Sequence, residues 1–145
     1  MPNLPASIEH LFPPVVGGML SLALSGESAE TVAQAIVSFV GGLRVGETGQ
    51  GVERATSDVE FHEALRPGRE IVVQPWRRQV GNLTSVADAH HGHIMLFVDS
   101  GAKLYAFTDP DSKLYALGSF DRAMETLLLG LDFGLPLQPD AQSFD

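Results

Sequence analysis

The fold of this chain is decided by residues 93–117, HIMLFVDSGAKLYAFTDPDSKLYAL. Three largely apolar runs, at residues 94–98, 103–108 and 113–117, are separated by the tetrapeptides DSGA and DPDS. Both separators consist of turn-forming residues, because Asp and Ser side chains bond the local backbone, Gly adopts left-handed conformations and Pro holds φ near one value. The pattern predicts a three-stranded antiparallel meander over about residues 93–117.

The tetrapeptide Lys-Leu-Tyr-Ala occurs twice in this stretch, at residues 103–106 and 113–116. A ten-residue spacing suits neighbouring strands of a hairpin and is too short for a solenoid repeat. Since side chains alternate across a strand, we expect Leu and Ala of both copies on one face and Lys and Tyr on the other. This predicts one dry face and one amphipathic face.

Two helices are predicted, one on each side of the meander in the sequence. The first, about residues 28–40, starts at a Ser28 cap and repeats Val, Ile and Ala at helical spacing. The second, about residues 119–129, starts at Ser119, carries an apolar stripe and is closed by Gly130. Both helices have one face that must be buried against other elements.

A further strand is predicted at residues 71–73, where Ile and two Val residues precede Pro75. Strands and helices with meander connections, rather than strict strand and helix alternation, favour an α+β fold. We expect a mainly antiparallel or mixed sheet with helices covering one face.

The composition indicates one folded domain. The chain has 145 residues, of which 44% are apolar and 19% charged, and this is the size and balance of a single domain with a packed core. We predict a single domain over residues 1–145, with residues 1–25 and 132–145 as peripheral segments. The chain contains no cysteine, so disulfides, thiol nucleophiles and thiolate metal sites are excluded.

The charge and the apolar run near the N-terminus limit the partners. Eighteen acidic and nine basic residues give a net charge of −9, and so acidic a chain does not hold a phosphate backbone. Residues 11–24 are apolar but shorter than the roughly 20 residues that span a bilayer, and the first basic residue is Arg44, so a signal peptide is not indicated. We expect a cytoplasmic protein without direct nucleic-acid or membrane binding.

The densest polar cluster is Asp88, His90, His91 and His93. Imidazole and carboxylate groups bind divalent metals, so a small metal-dependent enzyme with Asp88, His91 and His93 as ligands is one hypothesis. The spacing matches no standard zinc signature, and we favour an exposed polar loop and no cofactor. The chain also lacks the Gly-x-Ser-x-Gly elbow and the phosphate-loop Gly-Lys-Ser/Thr, which argues against the standard hydrolases and nucleotide-binding enzymes.

One basic and aromatic patch is present: Arg66, Arg69, Arg77 and Arg78 lie on either side of Trp76 in the sequence. Trp and Arg are favoured anchors of protein interfaces. In so acidic a chain, we expect the patch either to pair with the protein's own acidic residues or to form a partner-binding face, with stacking on nucleic-acid bases as the alternative.

Four segments occur in an order found in a known superfamily. They are SFVGGLRV at residues 38–45, VEF at residues 59–61, HIMLFVD at residues 93–99 and LGSFDRAMETLLLG at residues 117–130. Over about residues 30–130 the chain resembles the SUKH superfamily of bacterial immunity proteins, and its third subgroup most.

The resemblance implies a non-catalytic protein that binds and neutralises a cognate toxin domain, commonly a nuclease or a nucleic-acid deaminase. Other members serve as intracellular interaction or scaffold domains, so a module that binds a protein without inhibiting a toxin is the alternative. An acidic inhibitor suits a toxin whose own groove is basic. We expect the partner to contact these residues: Asp58, Glu60, Glu63, Trp76, Tyr105, Asp109, Asp111 and Tyr115.

Overall fold

The computed structural model describes residues 28–109 and 111–140. Its strands are β1 (Arg44–Val45), β2 (Val59–Phe61), β3 (Thr84–Ala89), β4 (Ile94–Val98), β5 (Leu104–Thr108) and β6 (Lys113–Gly118). Its helices are α1 (Ala29–Val40), the short α2 (Arg77–Val80) and α3 (Phe120–Leu129), with 3-10 turns over Arg69–Trp76 and His90–Gly92. The predicted peripheral segment 1–25 lies outside the described residues.

The strands form one antiparallel sheet in which each strand neighbours the one before it in the chain, in the order β1-β2-β3-β4-β5-β6. The strands β4, β5 and β6 are the predicted meander, and α1 and α3 pack on one face of the sheet. The predicted α+β fold is therefore confirmed. Residue Ile94 pairs with Ala89 on one side and Thr108 on the other, so β4 lies inside the sheet.

Aspartates shape both turns of the meander. The Asp99 carboxylate accepts the backbone N–H groups of Gly101 and Lys103, each at 2.9 Å. In the second turn the Thr108 hydroxyl donates a hydrogen bond to Asp111. These local bonds explain why Asp-rich separators are a reliable sequence signal for the hairpins.

The prediction that both Lys-Leu-Tyr-Ala copies face the same way is wrong. In β5, Leu104 and Ala106 lie on the face that α1 and α3 cover, whereas in β6 Tyr115 lies on that face and Leu114 on the opposite one. Ala106 is the cross-strand partner of Tyr115, and cross-strand partners share a face of the sheet. The Ala of the first copy therefore lies on the same face as the Tyr of the second copy. Both copies bury their leucine, but on opposite faces of the sheet.

The face that carries α1 and α3 holds the larger core. Ile36 of α1 is fully buried there, and Phe120 of α3 stacks on Phe61 of β2 with ring centroids 5.9 Å apart. The Ser28 hydroxyl accepts the Thr31 N–H at 3.1 Å and caps α1, as predicted.

Residues 71–73 do not form the predicted strand. They belong to the 3-10 segment Arg69–Trp76, which crosses the other face of the sheet and buries Val73 and Trp76 against it. The Trp76 and Phe107 rings meet edge to face at 6.1 Å. A segment that crosses the face of a sheet cannot pair with its strands, so local hydrogen bonds override the β preference of Val and Ile. Both faces of the sheet are consequently covered.

Residues 132–140 wrap around the edge strand β6. On the helical face, Phe133 packs on Tyr115 with ring centroids 5.3 Å apart. On the other face, Leu137 donates its N–H to the Leu114 carbonyl and accepts the Trp76 indole N–H, both at 2.8 Å. This segment therefore shields part of an edge that would otherwise present unpaired backbone groups.

Gly130, which ends α3, offers a test of the packing. It has φ +71, and a Cβ there would meet the Arg54 carbonyl oxygen and the Gly51 Cα. We expect Gly130→Ala to lower the free energy of unfolding by clearly more than the roughly 1–2 kcal/mol of left-handed strain alone, as measured by urea denaturation. Gly92→Ala is the matched control, because Gly92 has φ +88 with open space around it. Equal losses for the two variants would contradict the close approach at Gly130.

Candidate functional site

The structure divides the predicted partner-binding residues into two groups. The first group is accessible: Tyr115 is half-buried beneath Phe133, and four carboxylates are exposed, namely Glu60, Glu63, Asp109 and Asp111. The other three are buried: Asp58, Trp76 and Tyr105. A buried side chain offers no surface to a partner, so the expectation for these three is corrected.

Asp58 joins two loops. Its carboxylate accepts hydrogen bonds from the Thr48 hydroxyl at 2.9 Å and the His91 backbone N–H at 3.1 Å, and Arg44 lies 3.8 Å away. Burial alone would raise the pKa of Asp58, but the hydrogen bonds from Thr48 and the backbone, with the charge of His91, hold it below its usual value. The residue therefore fastens the loops before β2 and after β3 to each other.

Trp76 and Tyr105 belong to the core on the face opposite the helices. The Trp76 indole N–H is satisfied by Leu137, and the Tyr105 hydroxyl donates to Asp99 at 3.0 Å. Burial, together with the hydrogen bond to the Asp99 carboxylate and its charge, raises the pKa of Tyr105 to about 12. Aromatic residues with a polar tip are common both in cores and at interfaces, and only the packing distinguishes the two roles.

The structure separates the candidate metal ligands. Asp88 is held by Arg69 at 2.5 Å and Arg66 at 3.5 Å, whereas His91 lies beside Asp58 at 3.6 Å. His93 begins the connection into β4 and is exposed. Within residues 28–109 and 111–140, no group of three or more His, Cys, Asp or Glu side chains is placed to hold a metal ion.

His62 is a buried polar residue that the sequence did not single out. Its Nε2 lies 2.8 Å from the Ser85 hydroxyl on the neighbouring strand β3, and the side chain is almost fully buried. Burial, with Arg66 and Arg69 adding to it and Asp88 opposing it, lowers the pKa of His62 to about 4. Burial alternates through β2 but the alternation breaks at His62, which is buried directly after the buried Phe61, so the strand pattern does not predict a buried histidine here.

Glu60 and Glu63 lie together on the surface. They line a shallow concavity of about 340 Å³ next to β2, whose wall includes Leu65 and Arg66. Arg66 pairs with Asp88, and Arg44, the cross-strand neighbour of Glu60, pairs with Asp58; neither forms an ion pair with Glu60 or Glu63. Two of the predicted partner residues thus share one acidic concavity, which is the candidate site.

Asp109 and Asp111 lie apart from this concavity, in the β5–β6 turn. The Asp109 N–H donates to the His93 carbonyl at 2.9 Å, which places the turn beside the histidine loop. Backbone hydrogen bonds link Asp58 to His90, His90 to His93 and His93 to Asp109 along one end of the sheet. The two turn aspartates therefore form a separate exposed acidic pair at that end.

Comparison of the chain with protein-family models, curated proteins and solved structures finds no match. The SUKH resemblance therefore stays a prediction. In the part of the chain that the structure describes, no helix has both the length and the apolarity to cross a membrane.

The burial of His62 predicts how stability depends on pH. Because its pKa is about 4 in the folded protein and 6.5 in the unfolded chain, the unfolded chain binds more protons between these values. We expect the free energy of unfolding to fall by on the order of 3 kcal/mol as the pH drops through this window, and to be fully recovered above it. Urea denaturation at a series of pH values measures this.

The variant His62→Gln keeps a hydrogen-bonding group beside Ser85 but cannot titrate. It is therefore expected to flatten the pH dependence in that window even if it lowers stability at every pH. The lowered pKa of Asp58 acts only below its ordinary value of 3.8 and does not enter the same window. An unchanged slope in the variant would show that His62 is not the titrating group.

Proposed function

We propose that this chain is an immunity protein that binds and neutralises a cognate bacterial toxin domain with a basic surface. A nuclease or nucleic-acid deaminase is the toxin class, since such enzymes hold a polyanion. The support is the SUKH resemblance over residues 30–130 together with the distribution of charge on the folded chain. In this proposal the protein is cytoplasmic, is not an enzyme, and binds neither nucleic acid nor membrane.

The distribution of ion pairs carries the proposal. Among residues 28–109 and 111–140, all ion pairs end on Asp58 or Asp88, which are held by Arg44, Arg66, Arg69 and, when it is protonated, His91. The exposed carboxylates that the sequence analysis singled out form no ion pair in this part of the chain: Glu60, Glu63, Asp109 and Asp111. Three arginines, Arg44, Arg66 and Arg69, are thus paired with Asp58 or Asp88, while these four carboxylates stay open on the surface.

Unpaired surface carboxylates favour association with a basic partner. Their summed potential steers a positively charged protein toward the surface and raises the association rate, and pairs desolvated on contact add specificity. A toxin whose nucleic-acid groove is occupied in this way cannot bind its substrate. Inhibition then requires only that the acidic surface cover the groove, without chemistry.

The experiment is co-expression of the chain with the toxin encoded by its neighbouring gene. We expect a stoichiometric complex that weakens with added salt and restores growth of cells that express the toxin. Replacing Glu60 and Glu63 together by Gln is expected to weaken the complex about tenfold or more, mainly by slowing association. Biolayer interferometry at two salt concentrations measures both effects.

The matched control replaces Glu47 and Glu125 by Gln, which changes the net charge equally away from the Glu60 and Glu63 concavity. It is expected to have a much smaller effect. Equal weakening by both variants would show that net charge alone matters, and no complex or no rescue would overturn the toxin partner. A stable complex without inhibition would favour the interaction module instead.

A further inference from the structure

A concavity larger than the one beside Glu60 and Glu63 lies between the start of α1 and the 3-10 segment Arg69–Trp76. It encloses about 480 Å³, a volume within the range of small ligand and side-chain pockets. The wall of the cavity includes three apolar side chains: Leu65, Val73 and Leu83. Of these, Val73 and Leu83 are buried. Most of the remaining wall is polar or charged and includes Glu30, Glu70, Gln74 and Arg77.

This concavity neighbours the one that holds Glu60 and Glu63, because Leu65 is in the wall of both. Glu30 and Glu70 line the larger cavity, so the walls of the two neighbouring concavities contain four glutamates. None of the four forms an ion pair within residues 28–109 and 111–140. Arg66 is held by Asp88, which leaves Arg77 as the other arginine of the two walls.

We propose that the larger cavity receives one apolar side chain from an extended segment of the partner protein, and that Lys or Arg residues flanking it bind the four glutamates. This rests on the proposed function for the identity of the partner, but the chemistry of the segment follows from the cavity itself. An apolar pocket with a polar rim is the usual seat of an interface anchor. The surplus of carboxylates selects cationic neighbours over acidic ones.

The position of the cavity explains how it stays open. Val73 belongs to the core that includes Trp76 and Phe107, and the Ser28 hydroxyl accepts a hydrogen bond from the Thr31 N–H. Part of the wall is therefore formed by a packed segment and by the capped start of a helix. A preformed pocket lowers the entropy lost on binding.

Three capped tripeptides test the proposal without a toxin. They are acetyl-Lys-Leu-Arg-amide, acetyl-Lys-Ala-Arg-amide and acetyl-Glu-Leu-Glu-amide, titrated into the full chain labelled with nitrogen-15 at low salt. We expect the first to shift the amide signals of Leu83 and Ala29 and to bind roughly tenfold or more tightly than either of the others. Equal affinities for the Leu and Ala peptides, or shifts confined to other surfaces, would overturn the inference.

Gln74→Trp blocks the cavity from its rim, since Gln74 is an exposed residue of the wall. It is expected to abolish the preference for Leu over Ala, whereas Gln50→Trp, at an exposed position outside these walls, leaves the preference unchanged. If Gln74→Trp disturbs the fold, Glu30→Gln with Glu70→Gln is expected to remove the preference for the basic peptide instead. Full retention of both preferences would overturn the inference.

The two proposals fail in different ways. If the tripeptides show no preference but the toxin complex forms and inhibits, the cavity is not the anchor site and the proposed function stands. If the tripeptides bind as expected but no toxin is inhibited, the cavity is a peptide-binding site in a protein of another function.

Discussion

The structure depends on one constraint, which is that the central strands of the sheet are buried on both faces. Leu96 and Phe97 are neighbours in β4, point to opposite faces and are both fully buried. Since a strand with two apolar faces is stable only when both are covered, the chain has to supply two layers. The helices α1 and α3 form one layer, and the 3-10 segment, together with Leu137, lies on the other face.

This second layer also creates the concave surface. The segment Arg69–Trp76 is anchored by Trp76 over Phe107, and between this segment and the start of α1 lies the cavity of about 480 Å³. The loop that leads into the segment brings Arg66 and Arg69 to Asp88. Covering the sheet thus places arginines on an internal carboxylate and leaves glutamates at the surface. The segment that covers this face of the sheet therefore contributes both to the packing of the core and to the distribution of charge at the surface.

Much of the fold could be predicted because its signals are local. The turns between β4, β5 and β6 depend on Asp side chains that bond the adjacent backbone, and α1 is capped by a serine three residues away from its partner. The strand predicted at residues 71–73 failed for the opposite reason. Its β-branched residues carry a strand preference, but the segment meets the sheet across its face, where no strand can pair.

The candidate site was less predictable than the fold. Glu60, Glu63, Asp109 and Asp111 are exposed as expected, yet three residues predicted for the same surface are buried: Asp58, Trp76 and Tyr105. Charge and aromaticity favour interfaces and internal networks alike, because a carboxylate or a ring that finds hydrogen-bond partners is stable in either place.

By itself the sequence determined the meander, the two long helices, the α+β class and the excess of acidic charge, since each follows from composition or from contacts within a few residues. Only the tertiary structure decided which carboxylates are paired, which aromatic rings are buried and which face each Lys-Leu-Tyr-Ala copy presents. Those outcomes depend on strand register and on residues far apart in the chain, such as Trp76 with Leu137. No local pattern carries that information, because the partners are chosen only when the layers pack.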